Sequence, residues 1–213
     1  MIYFLKNFLN LCLSFILKEK KEIKFKYLCP NYMEQGFMHL LDTFRHCPKC
    51  GSDTFTENDF KSKRCGKCGF VYYLNPSAAN VAVITDGKGN ILVATRSKEP
   101  AKGTLDLPGG FCDCHESAEE GVIREVLEET GLKVTATRYL FSIPNIYCYS
   151  GMEIHTMDLF FECRTADNAT LHAADDVQEL QWMAIETLDS SLFGLRSIRE
   201  GVERLKSILN HKE

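Results

Sequence analysis

The stretch from Gly110 to Leu132 constrains the fold more than any other part of the chain, because it specifies both ends of a helix. Ser117 followed three residues later by Glu120 has the pattern of a capping box, in which two side chains bind the free backbone N–H groups at a helix start. Gly131 lies where a glycine commonly ends a helix. The sequence therefore predicts a helix from about Ala118 to Thr130.

One face of this predicted helix is acidic. At about 100° of rotation per residue, Glu125, Glu128 and Glu129 fall within an arc of roughly 100°. Such neighbours repel by about 0.2–0.5 kcal/mol per pair, and a hard divalent cation reverses that repulsion. Either Mg²⁺ or Mn²⁺ binding or a solvated acidic face would explain the pattern. The neighbouring arc is apolar and is predicted to pack against a sheet; it consists of Val122, Ile123, Val126 and Leu127.

The same stretch resembles the Nudix box, which reads Gly, five residues, Glu, seven residues, then Arg-Glu-aliphatic-x-Glu-Glu-x-Gly-aliphatic. The resemblance implies an α/β fold, the Nudix α/β/α sandwich with a mixed sheet. It also implies a Mg²⁺- or Mn²⁺-dependent hydrolase in which a metal-bound water attacks phosphorus without a covalent intermediate. On this resemblance, metal binding explains the glutamates better than a solvated face does.

Carried over by position, the resemblance also implies roles for the box residues. Arg124 would orient Glu125, and Glu116 would act as an outer or structural carboxylate. The implied ligands of the divalent cation are Glu125, Glu128, Glu129 and the carbonyl of Gly110. The general base stays open between a box glutamate and an acid elsewhere, with Glu179 and the Asp175-Asp176 pair as candidates.

Contacts to the substrate are harder to predict than metal ligands. Phe141, Tyr147 and Tyr149 could stack on a nucleotide base, although aromatic residues more often pack in a core or loop. Glu179 is a further weak candidate for a substrate contact. A diphosphate flanked by two groups is the expected substrate, because a long segment follows the box helix.

Two C-x-x-C pairs precede the box. Cys47 and Cys50 are separated by fourteen residues from Cys65 and Cys68, and a glycine follows each pair. Four thiolates at this spacing predict a zinc ribbon with one tetrahedral Zn²⁺. A closed site of four cysteines has no open position for chemistry, so the zinc is expected to be structural. Nucleic-acid contact through nearby lysines is the alternative role.

A zinc ribbon ahead of a Nudix domain resembles the NADH pyrophosphatase architecture. Members of that group that cleave NADH carry a Ser-Gln-Pro-Trp-Pro-Phe-Pro-like string after the box. Residues 140–147 here read LFSIPNIY, which keeps little of that string. ADP-ribose, a flavin dinucleotide or another nucleotide sugar are therefore equally open as substrates.

Composition limits the partners and the compartment. A formal net charge of -4 and a pI near 5.9 argue against a surface that neutralises many phosphates, so a small nucleotide is expected rather than stable nucleic-acid binding. Four of the ten cysteines are explained by metal binding rather than by disulfides, which favours a reducing, cytoplasmic setting. A homodimer is compatible with the sequence.

The N-terminus carries an apolar run from Phe8 to Leu17, which is well short of the roughly 20 residues that span a bilayer. Basic residues follow this run, so it does not have the pattern of a secretory signal or a transmembrane helix. An interfacial anchor, a poorly ordered extension and a later start at Met33 or Met38 are alternatives. The predicted organisation is an extension over 1–37, a zinc ribbon over 38–75 and a Nudix domain over 76–213.

Within the predicted Nudix domain, strands Val81–Thr85 and Ile91–Thr95 flank a turn and are expected to form a hairpin. Cys148 and Cys163 are expected to be buried strand residues. A stripe of aliphatic residues at helical spacing predicts a C-terminal helix that packs on the core; it consists of Leu195, Ile198, Val202, Leu205 and Leu209.

A protein of another functional class could reuse the same domain, as a nucleotide sensor or nucleic-acid-binding regulator without turnover. Such regulators commonly lose glutamates of the box and add a helix-turn-helix. This chain keeps every box residue and has no obvious helix for reading DNA, which favours the enzyme.

Overall fold

The computed structural model describes residues 39–149, 151–166 and 171–210. The chain divides into two compact units, residues 1–74 and 75–213. The predicted extension over 1–37 lies outside the described residues, and the three-part division of the chain stays a prediction. Among the described residues, no helix is long and apolar enough to cross a membrane.

The described residues of the first unit, 39–74, contain a small antiparallel sheet beside the cysteine pairs. Its strands are β1 (Phe55–Asp59), β2 (Ser62–Cys65) and β3 (Val71–Tyr73), in the order β1-β2-β3. Phe55 packs with Cys47 and Cys65 in a core too small to hold many apolar side chains. A metal that joins the cysteines would supply the stability that so small a core lacks.

The second unit contains two three-stranded sheets. The first sheet consists of β4 (Ser77–Ile84), β7 (Val134–Tyr149) and β8 (Met152–Thr165), with β4 parallel and β7 antiparallel to β8. The second sheet is antiparallel and consists of β5 (Asn90–Arg96), β6 (Leu105–Asp106) and β9 (Val177–Ala184).

The described residues of this unit also form two α-helices and a short 3₁₀ helix. Helix α1 covers Ala118–Thr130, with the capping box at Ser117 and Glu120 and a left-handed Gly131 at its end, which confirms its predicted bounds. Ser190–Leu192 form the 3₁₀ helix, and α2 covers Arg196–Asn210.

Side chains of β4 alternate between two cores. Val81 and Val83 join the core cluster that contains Ile198 and Val202 of α2. Ala82 and Ile84 join the cluster that contains Val122 and Val126 of α1. Because the two helices pack on opposite faces of the same strand, the predicted α/β/α sandwich with a mixed sheet is confirmed.

The predicted hairpin of β4 and β5 is wrong. The two strands belong to different sheets and are linked by a single bridge from Thr85 to Ile91. The ladder partner of β4 is β8, and that of β5 is β9. The turn between the strands is real, but both strands are buried along most of their length and have stronger partners elsewhere.

Three predictions of burial also need correction. Ile123 and Leu127 of α1 are 39% and 48% exposed, because the packed face of the helix turns toward Glu129 and away from them. Cys148 lies exposed near the end of β7, whereas Cys163 is buried as predicted. On α2, Ile198, Val202 and Leu205 are buried, as their spacing predicted.

Candidate active site

Two glycines hold the loop before α1 close to β4. Gly109 has a φ of 150°, and a Cβ at this position would lie 2.1 Å from the carbonyl oxygen of Asn80. A Cβ at Gly110 would lie 2.6 Å from Oε1 of Glu125. The backbone N–H of Asn80 donates to the Gly110 carbonyl at 2.7 Å, which fixes the loop on the strand. At Gly109 the near atoms are backbone atoms of β4 and φ is positive, so this position requires glycine.

Arg124 binds three of the box glutamates. Its Nη1 donates to Oε1 of Glu125 at 2.8 Å and to Oε2 of Glu128 at 3.0 Å. Its Nη2 and Nε donate to the two carboxylate oxygens of Glu116 at 2.7 and 3.1 Å. These charge-assisted bonds, together with the backbone N–H of Asp113, lower the pKa of Glu116 to about 2.

Glu129 is the most buried acid of the box, with 6% of its surface exposed. Burial raises its pKa to about 8, while a bond from the backbone N–H of Gly109 at 2.9 Å acts in the opposite direction. Burial also raises the pKa of Glu125, against the effect of Arg124. Glu128 is 47% exposed. The face therefore contains two carboxylates whose charged forms would gain from a nearby cation.

A cavity of about 320 Å³ opens beside these carboxylates. Glu125 and Glu129 lie on its wall, and residues of both sheets and of α2 complete the lining. The aromatic rings of Phe111 and Tyr147 meet edge to face at its side, with centroids 5.7 Å apart. The cavity thus combines an acidic wall with a ring surface.

The charged residue that the sequence interpretation missed is Arg96, at the end of β5. Its Nη1 forms an ion pair with the buried Asp106, its Nη2 donates to the hydroxyl of Tyr147 at 3.3 Å, and its Nε donates to Pro100. Both Arg96 and Asp106 line the cavity. In the sequence, Arg96 is recognisable only as a single arginine at the end of an apolar strand. This is a weak indication of a site, because the end of the strand is not known from the sequence.

A second missed group lies on β7 and β8. Asp158 is buried and accepts hydrogen bonds from Thr156 Oγ1 at 2.6 Å, from Asn145 Nδ2 at 3.2 Å and from the hydroxyl of Ser197. All of these except Ser197 line the cavity. Asp158 lies two residues before Phe160 and so on the same face of β8, and an acid at this inward position was the signal in the sequence.

The candidates outside the box divide clearly by position. Tyr147 lines the cavity, whereas Phe141 is buried in the core and stacks on Phe160 with centroids 4.7 Å apart. Asp175 and Asp176 line the cavity and form ion pairs with Lys98. Glu179 is exposed on β9 and is not part of the lining.

The four predicted zinc ligands come together in the first unit. Cys47, Cys50, Cys65 and Cys68 have sulfur atoms within 4.8 Å of one another. The Sγ atoms of Cys47 and Cys68 are 3.8 Å apart, and those of Cys50 and Cys65 are 3.7 Å apart. A tetrahedron with Zn–S bonds near 2.3 Å has edges of about 3.8 Å, so these cysteines fit a zinc ion.

The box carboxylates differ from the cysteines in their spacing. Within the described part of the chain, the cysteines are the one group of three or more ligand residues whose atoms approach so closely. Glu125 and Glu128 are both turned toward Nη1 of Arg124. Their hard oxygen atoms nevertheless suit Mg²⁺ or Mn²⁺ in chemistry.

Fold, box and cavity together define a hydrolase of phosphoanhydrides. The model of the NUDIX domain family matches residues 74–204, and the chain belongs to the Nudix family of pyrophosphohydrolases. A crystal structure of a Nudix hydrolase from Nitrosomonas europaea superposes with a TM-score of 0.62 at 19% identity, over 79% of this chain and 93% of that one. That similarity concerns the fold alone.

Two curated relatives show the range of the similarity. The chain is 33% identical to the ADP-ribose pyrophosphatase of Methanocaldococcus jannaschii, over 63% of this chain and 78% of that protein. It is 31% identical to the NAD-capped RNA hydrolase NudC of Vibrio parahaemolyticus, over 50% of this chain and 40% of that protein. The chain thus spans less than half the length of this second relative.

Proposed function

We propose that this chain uses Mg²⁺ or Mn²⁺ to hydrolyse the phosphoanhydride bond of a nucleoside diphosphate linked to a second moiety. The proposal is based on one observation, that acidic, basic and aromatic side chains line the same cavity. They are Glu125, Glu129, Arg96, Phe111 and Tyr147. Carboxylates suit a divalent cation, a guanidinium suits a phosphate, and rings suit a base. These three kinds of contact are what such a substrate requires.

Different residues of the cavity have different roles in the proposed reaction. Glu125, Glu128 and Glu129, with the Gly110 carbonyl, would hold the cation, and Arg124 keeps Glu125 in one orientation through its 2.8 Å bond. A bound Mg²⁺ or Mn²⁺ supplies charge neutralisation at the diphosphate and a water of lowered pKa as nucleophile. Arg96 is partly committed to Asp106 but keeps further N–H donors for a phosphate oxygen.

For the proton of the attacking water, Asp175 and Asp176 are favoured over Glu179. Both aspartates line the cavity beside the box carboxylates, whereas Glu179 does not. A base must reach the water within hydrogen-bond distance. Lys98 forms ion pairs with both aspartates, which holds their carboxylates at this side of the cavity.

Two relatives support a substrate with groups on both sides of the diphosphate. One is named for ADP-ribose and the other for NAD-capped RNA, and both compounds contain a diphosphate between two larger groups. The protein's net charge of -4 disfavours binding of a long RNA, because the protein would have to neutralise many phosphates. ADP-ribose and free dinucleotides are therefore the preferred candidates.

The substrate is tested with a panel of ADP-ribose, NADH, flavin dinucleotide, nucleotide sugars, NAD-capped RNA and nucleoside triphosphates, each with Mg²⁺ and with Mn²⁺. We expect the highest kcat/KM for a diphosphate flanked by two groups. A higher kcat/KM for a nucleoside triphosphate than for every such compound would contradict the proposed substrate class and leave only the reaction class.

The cation site is tested by Glu129→Gln and Glu128→Gln, which remove charge and keep side-chain volume. We expect each to lower kcat by about 100-fold or more while the chain stays folded, because a metal ligand acts chiefly in the transition state. Glu119→Gln, on the first turn of the same helix, is the matched control and should retain activity. Normal Mg²⁺-dependent turnover in both test variants would remove the proposed site.

A further inference from the structure

The sheet face that carries the core changes from apolar to polar as it enters the cavity. In register, Phe160 of β8 lies beside Val81 of β4 and Phe141 of β7. Two residues earlier on β8, Asp158 lies beside Ala79 and Ile143. Two residues earlier again, Thr156 lies opposite Asn145. Inward-facing positions on a strand are usually apolar, but here Asn145, Thr156 and Asp158 are polar and buried.

Asp158 turns one donor of each neighbour toward its own carboxylate. Thr156, Asn145 and Ser197 each donate to it, and between them they occupy both oxygen atoms. Besides the second N–H of Asn145, the two side chains that line the cavity retain acceptors, namely the hydroxyl lone pairs of Thr156 and the amide oxygen of Asn145. The group therefore presents acceptors to whatever enters.

The amide oxygen of Asn145 is the clearest of these acceptors. Asn145 is 5% exposed, and its oxygen accepts no hydrogen bond from any described residue. Within the described part of the chain, no fully buried side-chain oxygen or nitrogen lacks a partner. The oxygen is therefore not fully buried, and because Asn145 lines the cavity, we take it to be available to a ligand there.

Charge determines which part of a ligand this end of the cavity accepts. Asp158 lines it beside Thr156 and Asn145 and accepts a hydrogen bond from each. A phosphate would meet the carboxylate of Asp158 here, while a neutral hydroxyl or amino group would find acceptors. The diphosphate therefore belongs nearer Arg96, and an uncharged part of the substrate belongs at Asp158.

We propose that Asn145, Thr156 and Asp158 form an acceptor subsite that binds a hydrogen-bond donor on the uncharged part of the substrate, a ribose hydroxyl or a base amino group. The subsite rests on the proposed function, because it recognises part of the same substrate. The competing structural role is that Asp158 anchors the start of α2 through Ser197. Since Ser197 does not line the cavity, the two roles can be separated.

The test compares Asn145→Leu and Thr156→Val, which remove cavity-facing acceptors, with Ser197→Ala, which removes only the anchor. The substrates are ADP-ribose, its analogues that lack one ribose hydroxyl, and its inosine analogue. We expect the first two variants to lose about 10- to 100-fold in kcat/KM on ADP-ribose and to lose little on the one analogue without the recognised donor. That analogue identifies the donor as a hydroxyl or an amine. Ser197→Ala should lower Tm without changing these ratios.

A wild-type chain that turns over none of these compounds would contradict the proposed function. The subsite is then tested by calorimetric binding of adenosine monophosphate, its 2′-deoxy and 3′-deoxy forms and inosine monophosphate to the wild type and to Thr156→Val. Selective loss of affinity for the donor-bearing ligand supports the subsite. Equal losses across all ligands, or the same pattern in Ser197→Ala, overturn it.

Discussion

Glu129 lies on the packed side of α1, where a carboxylate is costly to ionise. Its neighbours on that side include Glu125, Asp106 and Asp176, and their charges add to the effect of burial on its pKa. A glutamine would avoid this cost at nearly the same volume. The acid is consistent with a residue that exchanges a proton for a metal ion, because metal ligands of this type bind in the deprotonated form.

Glu129 therefore predicts a pH dependence of stability in buffer without divalent cations and with zinc retained. Its pKa is about 8 in the folded state, above the ordinary value of 4.5, so the folded state holds a proton that the unfolded state has lost. Stability should fall as pH rises from about 5 to about 8, by at most about 1.4 kcal/mol per pH unit. Thermal unfolding between pH 5 and 9 measures this.

The matched variant for that measurement is Glu129→Gln, which cannot titrate. The difference in Tm between the variant and the wild type should increase with pH and shrink again when Mg²⁺ is added to the wild type at pH 8. Parallel Tm curves for the two proteins over the whole pH range would show that Glu129 does not titrate as described.

At the scale of single residues, the members of the box could be identified from the sequence because the pattern specifies a residue type at each position. Arg124, Glu116 and Glu129 have contacts that follow from positions on one helix and its preceding loop. Arg96 and Asp158 were not predictable, because their importance depends on which strands meet. Tyr147, which contacts Arg96, and Ser197, which contacts Asp158, lie on elements far away in sequence.

Helix α2 approaches β8 closely at Gly201. A Cβ at this position would lie 2.3 Å from Cε1 of Phe160, a fully buried ring that stacks on Phe141. The glycine costs the helix about 1 kcal/mol in propensity relative to alanine. The close contact explains why this cost is tolerated.

Gly201→Ala should therefore lower stability, by about 1–3 kcal/mol, although alanine is the better helix former. Chemical denaturation measures the change. Ser207→Ala, on the exposed side of the same helix, is the control and should change stability by less than about 0.5 kcal/mol. A stabilised Gly201→Ala variant would mean that α2 moves away from Phe160 at little cost.

The ribbon strands β1 to β3 are expected to depend on zinc binding by the four cysteines. We expect one zinc per chain by elemental analysis of freshly purified, reduced protein. Cys47→Ser should lose that zinc and loosen the ribbon, since Cys47 is both a ligand and part of the small core. Limited proteolysis of residues 39–74 reports the loosening. Absence of zinc from the wild type would contradict the prediction.

Helix α1, whose ends are marked by nearby residues, was predicted correctly, whereas the pairing of β4 with a strand distant in sequence was not. The capping box and Gly131 bounded α1 because both signals act within a few residues. The pairing of β4 was missed because an apolar strand beside a tight turn resembles half of a hairpin. Its true partner comes much later in the chain. Ile123 and Leu127 were misplaced for a related reason, since the rotation of α1 is set by the sheet beneath it.

For the whole molecule, the family pattern predicted the architecture, and the assembled fold was needed to define the cavity. Residues that line it come from strands β4 to β9, from both helices α1 and α2, and from the loops before α1, β9 and α2. No single stretch of sequence contains more than a part of it. The reaction class can thus be inferred from one helix, whereas the substrate depends on contacts spread from Ala79 to Ile198.

The parallel pairing of β4 with β8 has a consequence for how this protein is made. Ser77 lies beside Thr156, so β4 must wait for a partner translated roughly eighty residues later. Until then its apolar edge is open, and such an edge readily pairs with another chain. A ribosome that stalls before Met152 would release a product with this edge uncovered. Nascent chains of this protein should therefore need protection for longer than their short length suggests.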